Sequence, residues 1–174
     1  MPGAFDEASV RAFARVATRP ILFALSNPST LSEARPEDLV RWTQGRAILA
    51  TGSPFPSVQQ GGRPVRVAQV NNMLIFPGVG MGAWVSRARK VTDAMFSVAA
   101  RACADQVPPD KLAEGTILPA VGDIRRVSRA VALAVALEAV RSGVAAEQTR
   151  SQLEERLELE TWEPRYMELV RADE

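Results

Sequence analysis

The segment PILFALSNPST, residues 20–30, decides the fold. ILFAL (21–25) is short and wholly apolar, the pattern of a parallel strand covered on both faces. It stops at Ser26-Asn27-Pro28. Proline cannot donate to a ladder, and it drives the residue before it into an extended or turn conformation. Pairing therefore ends here, and the Asn27 carboxamide is left at the C-terminal end of a buried strand. In open α/β sheets that edge is where ligands sit. Two readings stand side by side, a ligand contact and an asparagine turn.

Working outward, AFDEASVRAFARVA (4–17) reads as a helix, with Phe5, Val10, Phe13 and Val16 near one stripe and Asp6-Glu7 at its positive end. Arg19-Pro20 ends it. After the strand, Thr30-Leu31-Ser32-Glu33 has capping-box spacing, with Glu33 placed to reach the Thr30 amide. Pro36 suits a first helical position, and PEDLVRWT runs to a stop at Gly45. AILAT (47–51) is a second buried strand closed by GSPFP. Strand, helix and strand in this order make a βαβ unit. Gly61-Gly62 reads as a hairpin turn between SVQQ and RPVRVAQV, an excursion to one sheet edge.

Past residue 70 the chain turns helical. VSRARKVTDAMFSVAARACADQV (85–107) is amphipathic and is closed by Pro108-Pro109. DIRRVSRAVALAVALEAVRSG (123–143) has a centre apolar on nearly every face, so it must be buried on more than one side, and Gly143 supplies its stop. The charged tail from residue 147 reads as helical, with Trp162 and Tyr166 as apolar anchors. The expected fold is α/β: a parallel sheet begun by a βαβ unit, followed by a helical C-terminal region.

Composition narrows the chemistry. There is no histidine, which excludes a histidine base, a Ser-His or Cys-His nucleophile and a histidine metal site in this chain. Lys90, Lys111 and Tyr166 are the only lysines and the only tyrosine. A net charge of +1 provides no long-range field for nucleic acid or an acidic membrane. No apolar run reaches the roughly 18 residues of a membrane span, and charges at Asp6, Glu7, Arg11 and Arg15 break up any signal-peptide pattern. Cys103, the single cysteine, sits among small helix formers, which reads as a buried inert thiol and fits a reducing cytoplasm.

A second amide site follows in QVNNMLIFPG, where Asn71-Asn72 precede an apolar run. Asparagine is a good helix cap, and a carboxamide also suits a ribose hydroxyl, another amide or a carboxylate. Gly78-Val79-Gly80-Met81-Gly82 is G-x-G-x-G without the acidic residue a ribose would need, so close helix packing is the better reading. Asp93, Asp105, Asp110 and Asp123 are isolated and do not pair as metal ligands. Arg125, Arg126 and Arg129 read as a solvated face or a subunit contact.

These residues together resemble the malic enzyme family. RPILFALSNP is similar to its strand and turn, WTQGRAILATGSPFPSV to the next helix, strand and turn, and AQVNNMLIFPGVGMG to its asparagine pair and glycine-rich helix start. LPAVGDIRRVSRAVALAVA and TWEPRYMELV resemble its last helices. The resemblance covers nearly the whole chain in order.

It implies NAD(P)-dependent oxidation of malate and its decarboxylation to pyruvate and CO2, with NAD or NADP and with Mg2+ or Mn2+ in the complete enzyme. It implies that Ser26, Asn27, Asn71 and Asn72 line the nicotinamide and malate pocket, which favours the ligand reading of Asn27. It further implies that residues 1–70 are the C-terminal half of a Rossmann-like NAD(P)-binding domain, which makes the parallel sheet (βαβ) a partial Rossmann-type one. Residues 71–146 are then helices that in the family pack back on the catalytic domain, and 147–174 a C-terminal helical tail.

The family's acid-base Tyr and Lys, metal-binding acidic residues and G-x-G-x-x-G lie N-terminal to everything matched here. Tyr166 and Lys90 do not correspond to them. The expectation is a chain inactive alone, partnered by an N-terminal malic enzyme half or by copies of itself, with malate or pyruvate as ligand, no nucleic acid and no membrane. A non-catalytic interaction module derived from the family, or part of a malolactic enzyme, are the other readings. The missing packing partner implies exposed apolar surface.

Overall fold

The structure is a computed structural model that describes residues 2–164 and 166. Helix α1 (Glu7–Val16) opens on Asp6, whose side chain accepts from the Ser9 amide at 2.7 Å. Its inner face is Val10 and Ala14, whereas Phe13 and Val16 are exposed. The expected four-residue stripe is therefore corrected: α1 touches the rest of the chain along one narrow seam. At its far end Arg46 donates to the carbonyls of Ala14 in the last turn and of Ala17 and Thr18 just past it, at 2.9, 3.1 and 2.9 Å.

Strand β1 (Ile21–Ala24) leads through a 3-10 turn (Ser29–Leu31) to α2 (Pro36–Thr43) and then to β2 (Ile48–Thr51). Helix α2 has Pro36 in its first turn and ends with Gln44 and Gly45 left-handed, at φ 57° and 73°. An antiparallel hairpin follows, β3 (Val58–Gln60) with β4 (Arg63–Val65), turned by Gly61-Gly62. Strand β5 (Val67–Gln69) then returns to the first sheet, whose order is β1-β2-β5 with both pairings parallel. The expected extended piece RPVRVAQV is thus two strands in two sheets, broken at Arg66. β1 is also less covered than its sequence suggests. It lies at the sheet edge, and Ile21 is 51% exposed. Leu22, Ala24, Leu39, Val40 and Leu49 form the core beneath, with Val10 from α1.

The second half is helical: a 3-10 turn (Asn72–Leu74), α3 (Phe76–Ser86), α4 (Asp93–Ala104), α5 (Pro109–Ala113), α6 (Ile124–Arg141) and α7 (Arg150–Glu160). The expected single helix over 85–107 is two helices. Arg87 is left-handed at φ 55°, closing α3, and the Thr92 hydroxyl caps α4 by accepting from the Met95 amide. Helix α6 is the hub, packed by α3, α4 and α7, with Val127, Val131, Val135 and Ala139 fully buried. Burial on more than one side is met within the chain itself. The exposed apolar residues lie elsewhere, among them Phe76 and Trp84 of α3, Val16, Ile21 and Leu159. In the tail, Leu153 and Leu157 are the buried anchors, while Trp162 and Tyr166 are exposed, because the seam of α7 against α3 and α6 ends before them.

Candidate functional site at the sheet's C-terminal edge

Register aligns the ends of the three parallel strands. Ala24 pairs with Thr51, and Thr51 with Gln69. Two further bonds extend the ladders, Gly52 N–H to the Ala24 carbonyl at 3.0 Å and Val70 N–H to the Thr51 carbonyl at 2.8 Å. The three segments that leave this edge are Leu25-Ser26-Asn27, Gly52-Ser53 and Val70-Asn71-Asn72. All four residues expected to line a site therefore emerge on the same side of the sheet. Strands two positions apart lie about 10 Å apart, so Asn27 and the Asn71-Asn72 pair flank the end of β2.

The central segment joins the first. The Ser53 hydroxyl donates to Asn27 Oδ1 at 2.6 Å. Thr51, buried to 1% exposure, donates its own hydroxyl to the Ser53 carbonyl at 2.8 Å, which fixes the turn that presents Ser53. Between them Gly52 must be glycine: a Cβ there would overlap the Leu25 carbonyl oxygen and stand 2.9 Å from Asn27 Nδ2.

Ser26 is held from the other direction. Its amide and its hydroxyl both donate to the Glu33 carboxylate, at 3.1 and 2.5 Å. The expected capping box is thereby corrected: Glu33 bonds to Ser26 and not to Thr30, because the 3-10 turn over Ser29–Leu31 brings residue 33 back under the strand end. Burial alone would raise the Glu33 carboxyl, but the bonds from the Ser26 hydroxyl, its own amide and the Ser26 amide outweigh it and leave it below the ordinary glutamate value.

Asn71 accepts from the Met73 amide at 3.0 Å and caps the 3-10 turn Asn72–Leu74. Asn72 is exposed, and its carboxamide has no hydrogen-bond partner among the described residues. The capping reading holds for Asn71. The arrangement offers neutral donors and acceptors that bind hydroxyls, amides and carboxylates without altering charge.

The glycine run is no phosphate cradle. Its residues lie inside α3, and a Cβ on Gly78 or Gly82 would stand 2.6 Å from Val131 or 2.7 Å from Val135 on α6. These faces are closed by packing. The arginine stripe is largely paired: Arg126 with Asp123 and Gln106, Arg129 with Glu158. It lines a groove of about 820 Å3 between α3, α6 and the chain after α7, which no sheet residue enters. Among the described residues no cluster of three or more His, Cys, Asp or Glu side chains could hold a metal ion. No helix among them is long and apolar enough to cross a membrane.

Two residues of this edge escape a reading of the sequence alone, Ser53 and Glu33. Ser53 looks like ordinary turn chemistry, and Glu33 has a nearer apparent partner. The signal for Ser53 was its position two residues beyond a buried strand, equivalent to that of Asn71.

Comparison with known proteins addresses the sequence and the fold. Residues 1–140 match the family profile "Malic enzyme, NAD binding domain". The chain is 47% identical over 164 residues to the NAD-dependent malic enzyme of Proteus mirabilis, covering 94% of this chain and 29% of that protein. It is 46% identical over 165 residues to the NAD-dependent malic enzyme of Aeromonas salmonicida, covering 95% and 29%. The crystal structure of Entamoeba histolytica malic enzyme superposes with a TM-score of 0.70 at 27% identity, over 91% of this chain and 29% of that one. Malic enzyme from Pyrococcus horikoshii gives 0.69 at 30% identity, over 91% and 32%. The chain thus spans less than a third of the length of the curated relatives it matches. On its sequence and its fold together, the chain belongs to the malic enzyme family.

Proposed function

We propose that this chain supplies the nicotinamide- and malate-facing wall of an NAD-dependent malic enzyme, and that turnover requires further polypeptide carrying the acid-base groups and metal ligands. The observation that carries this reading is the shared edge: Asn27, tied to Ser53 at the end of β2, and Asn71-Asn72 leave the same edge of one parallel sheet on either side of β2. The names of the relatives favour NAD over NADP. Bound there, the nicotinamide would accept the hydride from the malate hydroxyl carbon. This chain's residues bind and orient: Asn27 and Asn72 offer carboxamides to the ribose and the substrate carboxylate, Asn71 holds Asn72 in place through its cap, and Ser26 holds Asn27 through Glu33. In this reading residues 1–70 form the cofactor half, 71–146 the helices that meet the catalytic domain, and 147–174 the tail.

The test is co-expression of this chain with the N-terminal part of the Proteus mirabilis enzyme, followed by malate-dependent NADH formation with Mg2+ or Mn2+. The complex is expected to turn over and the chain alone to give none. Asn27→Ala and Asn72→Ala are each expected to reduce kcat/KM by about a hundredfold, the usual loss for a donor aimed at reacting groups. An active complex indifferent to both substitutions would refute the assignment of the pocket.

A further inference from the structure

We infer that Ser53 is a positioning residue: it fixes the orientation of the Asn27 carboxamide so that the Nδ2 hydrogens, and not the carbonyl oxygen, meet the ligand. This rests on the reading of Asn27 as a pocket residue and goes one step beyond it, because it states which end of the amide works and what holds it.

The two heavy atoms are 2.6 Å apart. That separation belongs to O–H···O bonds, which cluster near 2.7–2.8 Å, and is short for N–H···O, which clusters near 2.9–3.0 Å. The hydroxyl therefore donates to Oδ1. With Oδ1 occupied, the amide's remaining capacity is two N–H donors, and Nδ2 has no acceptor among the described residues although Asn27 is exposed. Nδ2 lies over Gly52, close enough that a Cβ there would stand 2.9 Å from it. A glycine at that place is the condition for the donor end to lie where it does. Ser53 is itself held by the bond from the buried Thr51 hydroxyl to its carbonyl. The group that Asn27 meets must then be a hydrogen-bond acceptor oxygen, on the substrate carboxylate or on the nicotinamide ribose.

The direct test reads the amide in the chain itself. Side-chain 15N relaxation of Asn27 is expected to report a rigid NH2 group in the native chain, a mobile one in Ser53→Ala and a rigid one again in Ser53→Thr, which retains the hydroxyl. If Ser53→Ala does not fold, Ser53→Cys, a weak donor of similar shape, takes its place in the same measurement. In the co-expressed complex Ser53→Ala is expected to raise one KM about tenfold, the equivalent of one net hydrogen bond, and Ser53→Thr to restore it. A rise confined to malate assigns the acceptor to the carboxylate, and a rise confined to NAD assigns it to the ribose. An equally mobile Asn27 amide in all variants, or unchanged KM values in a variant with a mobile amide, overturns the inference. Loss of activity in Asn27→Ala with none in Ser53→Ala sinks this inference alone, whereas full activity in Asn27→Ala sinks the reading of Asn27 as a pocket residue beneath it.

Discussion

Glu33 takes both hydrogen bonds that Ser26 has to give, one from the amide at 3.1 Å and one from the hydroxyl at 2.5 Å. The pair ties the loop carrying Asn27 to the turn before α2. Burial opposes the charge, but the hydrogen bonds win and the Glu33 carboxyl stays below its ordinary value of about 4.5. A depressed folded pKa adds stability that is complete above the unfolded value and is lost as pH falls through the folded one. Glu33→Gln is therefore expected to destabilise the chain by about 1 kcal/mol near neutrality. The difference should shrink toward zero as the pH drops below about 4.5. Urea titrations of both proteins between neutral and acid pH check it, and a difference independent of pH would remove Glu33's charge from the account.

Gly52 is expected to tolerate no side chain. A Cβ at this position meets the Leu25 backbone carbonyl, which cannot swing aside as a side-chain tip would. Gly52→Ala should force β1 and β2 apart at their C-terminal ends and destabilise by about 3 kcal/mol, the upper end of overpacking effects. Amide exchange at Gly52 and Val70, whose N–H groups extend the two ladders, should accelerate with it.

The three glycines of α3 separate into two classes. Gly78→Ala and Gly82→Ala drive a methyl into Val131 and Val135, and a Cβ on Gly82 would stand 2.5 Å from the Ala132 carbonyl oxygen. Each is expected to destabilise by about 2 kcal/mol. Gly80 faces open space, so Gly80→Ala should stabilise by up to about 1 kcal/mol through helix propensity alone. Thermal melts of the three variants test the contrast, and a destabilising Gly80→Ala would show that the helix faces are misplaced.

Leu153 and Leu157 hold α7 to the bundle at 0% and 2% exposure. Leu153→Ala should destabilise by about 3 kcal/mol, while Trp162→Ala, at an exposed position, should change stability by less than about 0.5 kcal/mol. Urea unfolding of the two variants distinguishes the buried anchor from the exposed one.

Cys103 is 3% exposed, and burial pushes its thiol up from the ordinary value. A water-soluble thiol reagent is expected to leave it untouched in the native chain and to titrate one group per chain in denaturant. Rapid native labelling would contradict the packing of α4 on α6.

Much of the front half was legible because its punctuation is chemical. Apolar runs ending in Asn27-Pro28 and Gly52-Ser53 mark two parallel strands, although β1 lies at the sheet edge and is less covered than its run suggests, and Gly61-Gly62 marks the hairpin. The uniformly apolar centre of α6 announced burial on several sides, and α3, α4 and α7 provide it. What failed to show lacked such marks. The break between α3 and α4 falls in RARKV, with neither glycine nor proline, and is made by an arginine in a left-handed conformation and by the Thr92 side-chain cap just beyond it. Glu33 had a local partner at proper spacing and found a tertiary one instead. Trp162 carries an aromatic bulk that suggests an anchor, yet the seam of α7 closes before it. At the candidate site the asparagines stood out by residue type and strand position, whereas Ser53 became visible only when the register laid three strand ends side by side.

That register also governs where the chain can change length. Ala24, Thr51 and Gln69 share one row, so adding a single residue to β1, β2 or β5 would turn every later side chain on that segment to the opposite face and carry its amide away from its neighbours. The hairpin of β3 and β4 belongs to a separate ladder, and a Cβ at either Gly61 or Gly62 meets nothing within 4 Å. An insertion at that tip lengthens the chain while leaving the row of strand ends undisturbed.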